Sequence, residues 1–195
     1  MISYDQSLKI LKKAKIKIKD EIINSVNSLN RVISSNVYSN INYPTGDNAA
    51  FDGYAINSKD TNQIKKNSQK QFKIIGSIAA GSKTLKKKIN KFDAIEIMTG
   101  GIIPKGFDTI IPIEQINFYP NKKNKKYILI DQKINKYNHV RFAGSDFKKG
   151  EIVIKKNTIV QPNHILAFKS LGIKEIKVKK SINILFFSTG NEISN

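Results

Sequence analysis

From residue 71 onward the chain is a succession of short apolar runs, FKIIGSIAAG, AIEIM, TIIPIEQINFY and KYILID, each cut off by Gly, Pro or a cluster of lysines. Short runs rich in branched and aromatic residues, bounded by turn formers, are strands. This part of the chain is therefore expected to fold as a small β domain, with the lysine-and-asparagine stretch 120–126 as a hairpin tip or loop. EIVI (151–154) reads as a further strand and KEIKVKK (174–180) as an alternating one. SINILFF (181–187) is a continuous apolar run, the mark of a strand buried on both faces.

Helices are few. Ser3-Tyr4-Asp5-Gln6 fits a capping box, and Tyr4, Leu8, Leu11 and Ala14 or Lys15 follow at helical spacing, which predicts a helix over about 4–16. SLNRVISSNVYS (28–39) reads as a turn entering a short extended piece, with Asn30 able to supply a positive φ. Pro162 at a first helical position and Gly172 just past the end predict a helix over about 161–171. After SINILFF come Ser188-Thr189-Gly190-Asn191-Glu192. A strand running into a small, Gly-containing turn is how an α/β unit begins, and the N–H groups of such a turn make an anion site. The chain stops there, so the expectation is a fragment of a longer protein.

The chain has 195 residues and a formal net charge of +19, from 34 basic and 15 acidic residues. That balance raises a nucleic-acid-binding module as one reading, which salt-sensitive DNA binding would support. Against it, only Arg31 and Arg141 are arginines, and the lysines are scattered among Asn and Ile rather than gathered on one motif. The arginine fork is the usual tool for base edges and phosphates. The charge is better read as compositional drift that still favours anionic small ligands. There are no cysteines, hence no thiolate metal site and no thiol nucleophile. His139 and His164 are too few for a histidine-rich zinc site. No apolar run approaches the roughly 18 residues of a membrane span, and the N-terminus has no signal-peptide core, so a soluble cytoplasmic protein is expected.

Four stretches depart from this background. TGDNAAFDGYAI (45–56) is free of lysine and holds Asp47, Asn48 and Asp52 among small and aromatic residues. An Asp-Gly pair such as Asp52-Gly53 often marks only a tight turn. The functional alternative is a loop whose acidic and amide oxygens face a cleft where a hard cation such as Mg²⁺ sits and a ligand comes close to the backbone. Ile97-Met98-Thr99-Gly100-Gly101-Ile102-Ile103-Pro104 reads as a strand ending in a Thr-Gly-Gly turn that offers a hydroxyl and free N–H groups. Arg141-Phe142-Ala143-Gly144-Ser145-Asp146 brackets a glycine with an ion pair or an oxyanion clamp. Ser188 to Glu192 is the fourth.

Taken in order, these stretches resemble the MoeA and gephyrin E-domain family, the molybdopterin molybdenumtransferases. NYPTGDNAAFDGYAI is similar to that family's P-x-x-D-N-S-A-M-D-G-Y-A signature, and IEIMTGGIIPKGFDTIIPIEQ to its I-M-T-G-A segment. RFAGSDFKKGEIVI is similar to its R-x-x-G-E-D segment, and LGIKEIKVKKSINILFFSTGNEI to the segment ending S-T-G-D-E-L. The signature's Ser and Met are Ala49 and Phe51 here, and the usual Ala after Thr-Gly is Gly101. Ser145 stands where the family has Glu, and Asn191 where it has Asp, so each removes a negative charge.

The resemblance implies a mixed α and β, multi-domain fold. Residues 1–43 and 141–178 would form an elongated discontinuous α+β domain, 44–140 an inserted small β domain, and 179–195 the first strand of a truncated α/β, molybdopterin-binding domain. It implies Mg²⁺-dependent insertion of molybdate into adenylylated molybdopterin with release of AMP, and a homodimer whose cleft lies between the α/β domain of one subunit and the inserted domain of the other. A molybdopterin adenylyltransferase is a further implied partner. Carried over by position, Asp52, Thr99, Arg141, Asp146 and Glu192 would be catalytic. Asp47, Asn48, Gly100, Ser188, Thr189 and Gly190 would bind substrate, and Asp52, Asp146 and Glu192 are the candidate metal ligands. With the α/β domain incomplete, the chain is expected to be inactive alone. A non-catalytic scaffold remains the alternative within the same family, one of whose eukaryotic members clusters receptors.

Overall fold

The structure is a computed structural model that describes residues 2–14, 16–65, 68–82, 87–185 and 187. Among the described residues there are two α-helices, α1 (Tyr4–Lys13) and α2 (Pro162–Ser170). The strands are β1 (Asp20–Asn24), β2 (Val37–Tyr38), β3 (Asn48–Ala49), β4 (Gly53–Ile56), β5 (Lys70–Ile78) and β6 (Asp93–Ile97), then β7 (Thr109–Pro112), β8 (Asn117–Pro120), β9 (Lys125–Ile130), β10 (Val140–Arg141), β11 (Ile152–Ile154) and β12 (Glu175–Lys179). The fold is mixed α and β, mostly sheet with few helices. The chain divides into two compact units, one made of Met1–Asn40 and Glu151–Asn195, the other of Ile41–Gly150.

In the discontinuous unit, β1 runs antiparallel to β12, with Ile23 opposite Ile176, and β2 pairs with β11. Ile33 bridges to Val178, so residues 32–34 flank β12 on its other edge. Ile33, Val160, Phe168 and Val178 are fully buried and form the centre of this unit. Helix α2 begins at Pro162 as expected, and Gly172, at φ +67, ends it. Asn30 takes its positive φ of 63. Helix α1 has the capping box, Ser3 and Gln6 bonding each other's backbone N–H at 3.3 and 2.9 Å. It stops at Lys13 rather than near 16. Ala14 turns extended, no glycine supplies a left-handed cap, and the dense lysines that follow repel along a helix face.

The 41–150 unit is a six-stranded sheet in the order β7-β4-β6-β5-β9-β8. Only β5 and β6 are parallel; the other pairs are antiparallel. Both faces are covered. Tyr54, Ile56, Phe72 and Ile128 pack on one side, and Ala55, Ile95, Ile97 and Ile110 on the other. Two-sided burial explains why β4 and β7 are buried at every position, with no alternation of polar residues.

The structure changes three expectations. Residues 45–56 are not one loop: they hold β3 and then β4, a central strand paired on both sides. The boundaries fall at 40/41 and 150/151, not at 43/44 and 140/141. Residues 141–150 stay with the sheet because β10 pairs with β3, Gly144 N–H donates to the Pro44 carbonyl (2.9 Å), and Lys149 N–H donates to Asn42 Oδ1 (2.9 Å). Finally, residues 181–185 and 187 form no strand and lie exposed, since no neighbouring strand among the described residues takes up their backbone groups. Phe186 and the Ser188–Glu192 turn lie outside the described residues.

Candidate functional site

The motif residues of the 41–150 unit gather around a ribbon formed by β3 and β10. Asn48 sits opposite Arg141, and Ala49 opposite Val140. The strand-end turn joins the ribbon from the other side. Ala49 N–H donates to the Gly101 carbonyl (3.0 Å), Gly100 N–H donates to the Ala49 carbonyl (2.9 Å), and Asn48 bridges Ile102. Three separated segments are thereby stitched together by backbone hydrogen bonds. Gly100 stands at φ +80, which explains the glycine. Gly101 has another reason. A Cβ there would lie 2.9 Å from both Ile97 Cγ1 and the Met98 carbonyl oxygen, too close for the alanine usual in the family pattern.

Asp52 is exposed, yet its carboxylate is fixed. Oδ1 accepts from Thr99 N–H and from the Thr99 hydroxyl, both at 2.6 Å. The hydroxyl bond first, then the backbone bond, holds the carboxyl below its ordinary pKa, because both stabilise the charged form. Asp52 is therefore a positioned, ionised carboxylate.

Arg141 and Asp146 form an ion pair through Arg141 Nη2 and Asp146 Oδ2. Asp146 Oδ1 receives a long bond from the Ser145 hydroxyl (3.4 Å). Asp47 turns away to accept the N–H of Ala143 (2.9 Å), and so ties the first motif to the Arg141 segment.

Asn48, Gly100 and Arg141 line one cavity of about 420 Å³, with Tyr43, Pro44 and Ile102. Asn48 is 7% exposed, and its Oδ1 is a buried acceptor with no hydrogen-bond partner among the described residues. An unmade buried bond costs about 1–3 kcal/mol, so a polar group kept here marks the cavity as more than packing. Tyr43, Pro44 and Ile102 lie within the quoted motif stretches but were not named as site residues, because nothing in their residue types distinguishes a cavity wall from a core.

The sequence attached a close backbone approach by a ligand to Gly53. The structure gives a different cause. Gly53 is buried in β4, and a Cβ there would lie 2.0 Å from the Ile111 carbonyl oxygen. The glycine is required by strand packing.

Among the described residues no group of three or more His, Cys, Asp or Glu could hold a metal ion. Asp52 accepts from Thr99 through Oδ1, and Asp146 pairs with Arg141. Glu192, Ser188, Thr189 and Gly190 lie outside the described residues. No helix among the described residues is long and apolar enough to cross a membrane.

Residues 2–172 match the family described as the MoeA N-terminal region, domain I and II. A molybdopterin molybdenumtransferase of Haemophilus influenzae is 30% identical over 195 residues, covering 99% of this chain and 46% of the relative. One from Staphylococcus aureus (strain Mu50) is 29% identical over 166 residues, 85% of this chain and 38% of the relative. The crystal structure of a molybdopterin biosynthesis MoeA protein from Pyrococcus horikoshii OT3 superimposes with a TM-score of 0.76 at 30% identity, covering 92% of this chain and 46% of that one. The chain thus spans less than half the length of these relatives.

Proposed function

The chain belongs to the MoeA N-terminal region family, and from that premise we propose that it is the N-terminal portion of a molybdopterin molybdenumtransferase, acting in molybdenum cofactor biosynthesis. The reaction would be insertion of molybdate into adenylylated molybdopterin with release of AMP. The observation that carries this reading is the convergence of three separated motifs on one cavity: Asn48, Gly100 and Arg141 line it, and Thr99, beside Gly100, holds Asp52.

In this reading each residue has a stated task. Arg141 offers a guanidinium to an oxyanion, and Asp146 orients it. Thr99 keeps Asp52 ionised and aimed. Gly100, without a side chain and in a left-handed conformation, leaves the turn's edge open to the ligand. Mg²⁺, implied by the sequence resemblance, would supply a Lewis acid to the anionic groups. The described residues do not by themselves form a site for it. The proposal includes a homodimer in which this cavity faces the α/β domain of the other subunit.

A chimera tests the reading. Residues 2–178 replace the matching segment of the Haemophilus influenzae relative, and the chimera is expressed in a bacterial strain lacking its own molybdenumtransferase. The parent chimera is expected to restore a molybdenum-dependent reductase. The Asp52→Asn chimera is expected to show at most about a tenth of that activity, equivalent to about 1.4 kcal/mol of transition-state stabilisation. A folded parent chimera that restores nothing, or an Asp52→Asn chimera as active as its parent, overturns the reading.

A further inference from the structure

We propose that a second cavity of the 41–150 unit is a binding site for a small phosphate monoester. Successive residues of a strand point to opposite faces. Arg141 looks into the cavity already described, while its neighbour Val140 lines the other, of about 400 Å³. That volume lies within the range of small-ligand sites.

Three lysines line this cavity from three separate segments, and Lys136 Nζ lies over the Tyr137 ring, 4.3 Å from its centroid. Lys59 comes from the short 3-10 turn Ser58–Thr61, Lys105 from the turn after Pro104, and Lys136 from the loop before β10. None of the three forms an ion pair among the described residues. The two carboxylates in the wall are already engaged. Asp108 accepts from Ser58 N–H (2.7 Å) and the Ser58 hydroxyl (3.0 Å), and Asp47 accepts from Ala143 N–H. Three lysines against two aspartates leave the lining with a net charge of one positive unit, and both carboxylates already accept hydrogen bonds from the protein.

Ile103, Pro104, Phe107 and Val140 give the cavity an apolar wall, and Asn57, Gly106 and Tyr137 complete the lining. The walls are also fixed before any ligand arrives. Ile103 N–H donates to the Asp47 carbonyl (2.9 Å), Asp108 N–H to that of Ile56 (3.0 Å), Tyr137 N–H to that of Asp108 (2.9 Å), and Phe107 N–H to that of Pro104 (3.1 Å). Only the lysine side chains need ordering on binding.

This combination selects a ligand class. Three lysines on three separate segments match the three free oxygens of a phosphate monoester better than a planar carboxylate with two. The apolar wall suits the ester's organic group, which inorganic phosphate lacks. The site stands apart from the Asp52–Thr99 pair, and its test does not depend on molybdenum chemistry.

The test is calorimetric titration of the full 195-residue chain with phenyl phosphate, inorganic phosphate and molybdate at about 0.15 M salt, where diffuse attraction is screened beyond about 8 Å. Phenyl phosphate is expected to bind at least fivefold more tightly than either inorganic anion. The triple variant Lys59→Gln, Lys105→Gln, Lys136→Gln is expected to weaken it at least tenfold. A control triple at Lys122, Lys123 and Lys126, on the β8–β9 hairpin, removes the same charge and is expected to change it less than twofold. Amide shifts of Phe107 and Val140 on titration locate the ring independently of any variant. Equal losses in both triples, equal affinity for all three anions, shifts confined to other residues, or no binding by the parent chain each overturn the proposal.

Discussion

Replacing Gly53 with alanine separates strand packing from ligand contact at the most prominent motif of the chain. Gly53 is the first residue of β4, paired with Ile97 on one side and Pro112 on the other. An added Cβ would lie 2.0 Å from the Ile111 carbonyl oxygen, 2.9 Å from its carbon and 3.0 Å from Pro112 Cα. All three are backbone atoms, so no side-chain rotation relieves the contact. Ordinary carbon–oxygen contacts are well over 3 Å, so β4 and β7 must part by about 1 Å or more, in a sheet covered on both faces. Overpacking of this kind costs about 1–3 kcal/mol where side chains can adjust, and more where only backbone can. An expected loss of about 3 kcal/mol or more follows, or a fall in Tm of roughly 6–12 °C at about 2–4 °C per kcal/mol for a chain of this size. Urea and thermal unfolding of Gly53→Ala against the parent chain measure it. A loss below about 1 kcal/mol would show that β4 and β7 are not paired as described, and that Gly53 serves something other than packing.

Thr99→Val removes the hydroxyl bond that contributes most to lowering the Asp52 pKa, so that value should move back toward the ordinary 3.8. A group whose pKa is depressed by folding stabilises the fold above its unfolded pKa and loses that contribution as pH falls through the folded value. Thr99→Val should therefore flatten the acid limb below about pH 3.8, and carboxyl-carbon NMR titration of Asp52 reads the shift directly; an unchanged titration would count against the Thr99 clamp. Arg141→Gln breaks a pair whose arginine is 48% exposed, so stability should move by about 0–1 kcal/mol while the chimera loses activity. Full activity would remove Arg141 from the site. Gly101→Ala should cost about 1–3 kcal/mol in urea unfolding despite alanine being usual in the family pattern, because Ile97 and the Met98 carbonyl occupy the space. An alanine variant as stable as the parent would mean that Ile97 moves aside freely.

Local rules decided much of this chain, and they are legible in the residues. Ser3 with Gln6, Pro162 with Gly172, and Asn30 each specify a conformation that depends only on near neighbours. The strands between 70 and 130 were readable for the same reason, since short apolar runs punctuated by turn formers have few other ways to bury themselves. The motif order pointed to the family, and the match over 2–172 agrees. What the sequence left open is whatever depends on partners distant along the chain. β4 is hidden in TGDNAAFDGYAI because its small residues look like a turn until Ile97 and Pro112 are seen on either side. SINILFF has the composition of a buried strand, but its described residues remain exposed, since a strand exists only where another accepts its hydrogen bonds. The pairing of Asp52 with Thr99, 47 positions apart, and of Asn48 with Arg141 across β3 and β10, required the folded sheet to bring them together. Residue type supplied the chemistry of the site; long-range backbone pairing, which no local pattern encodes, decided which groups meet.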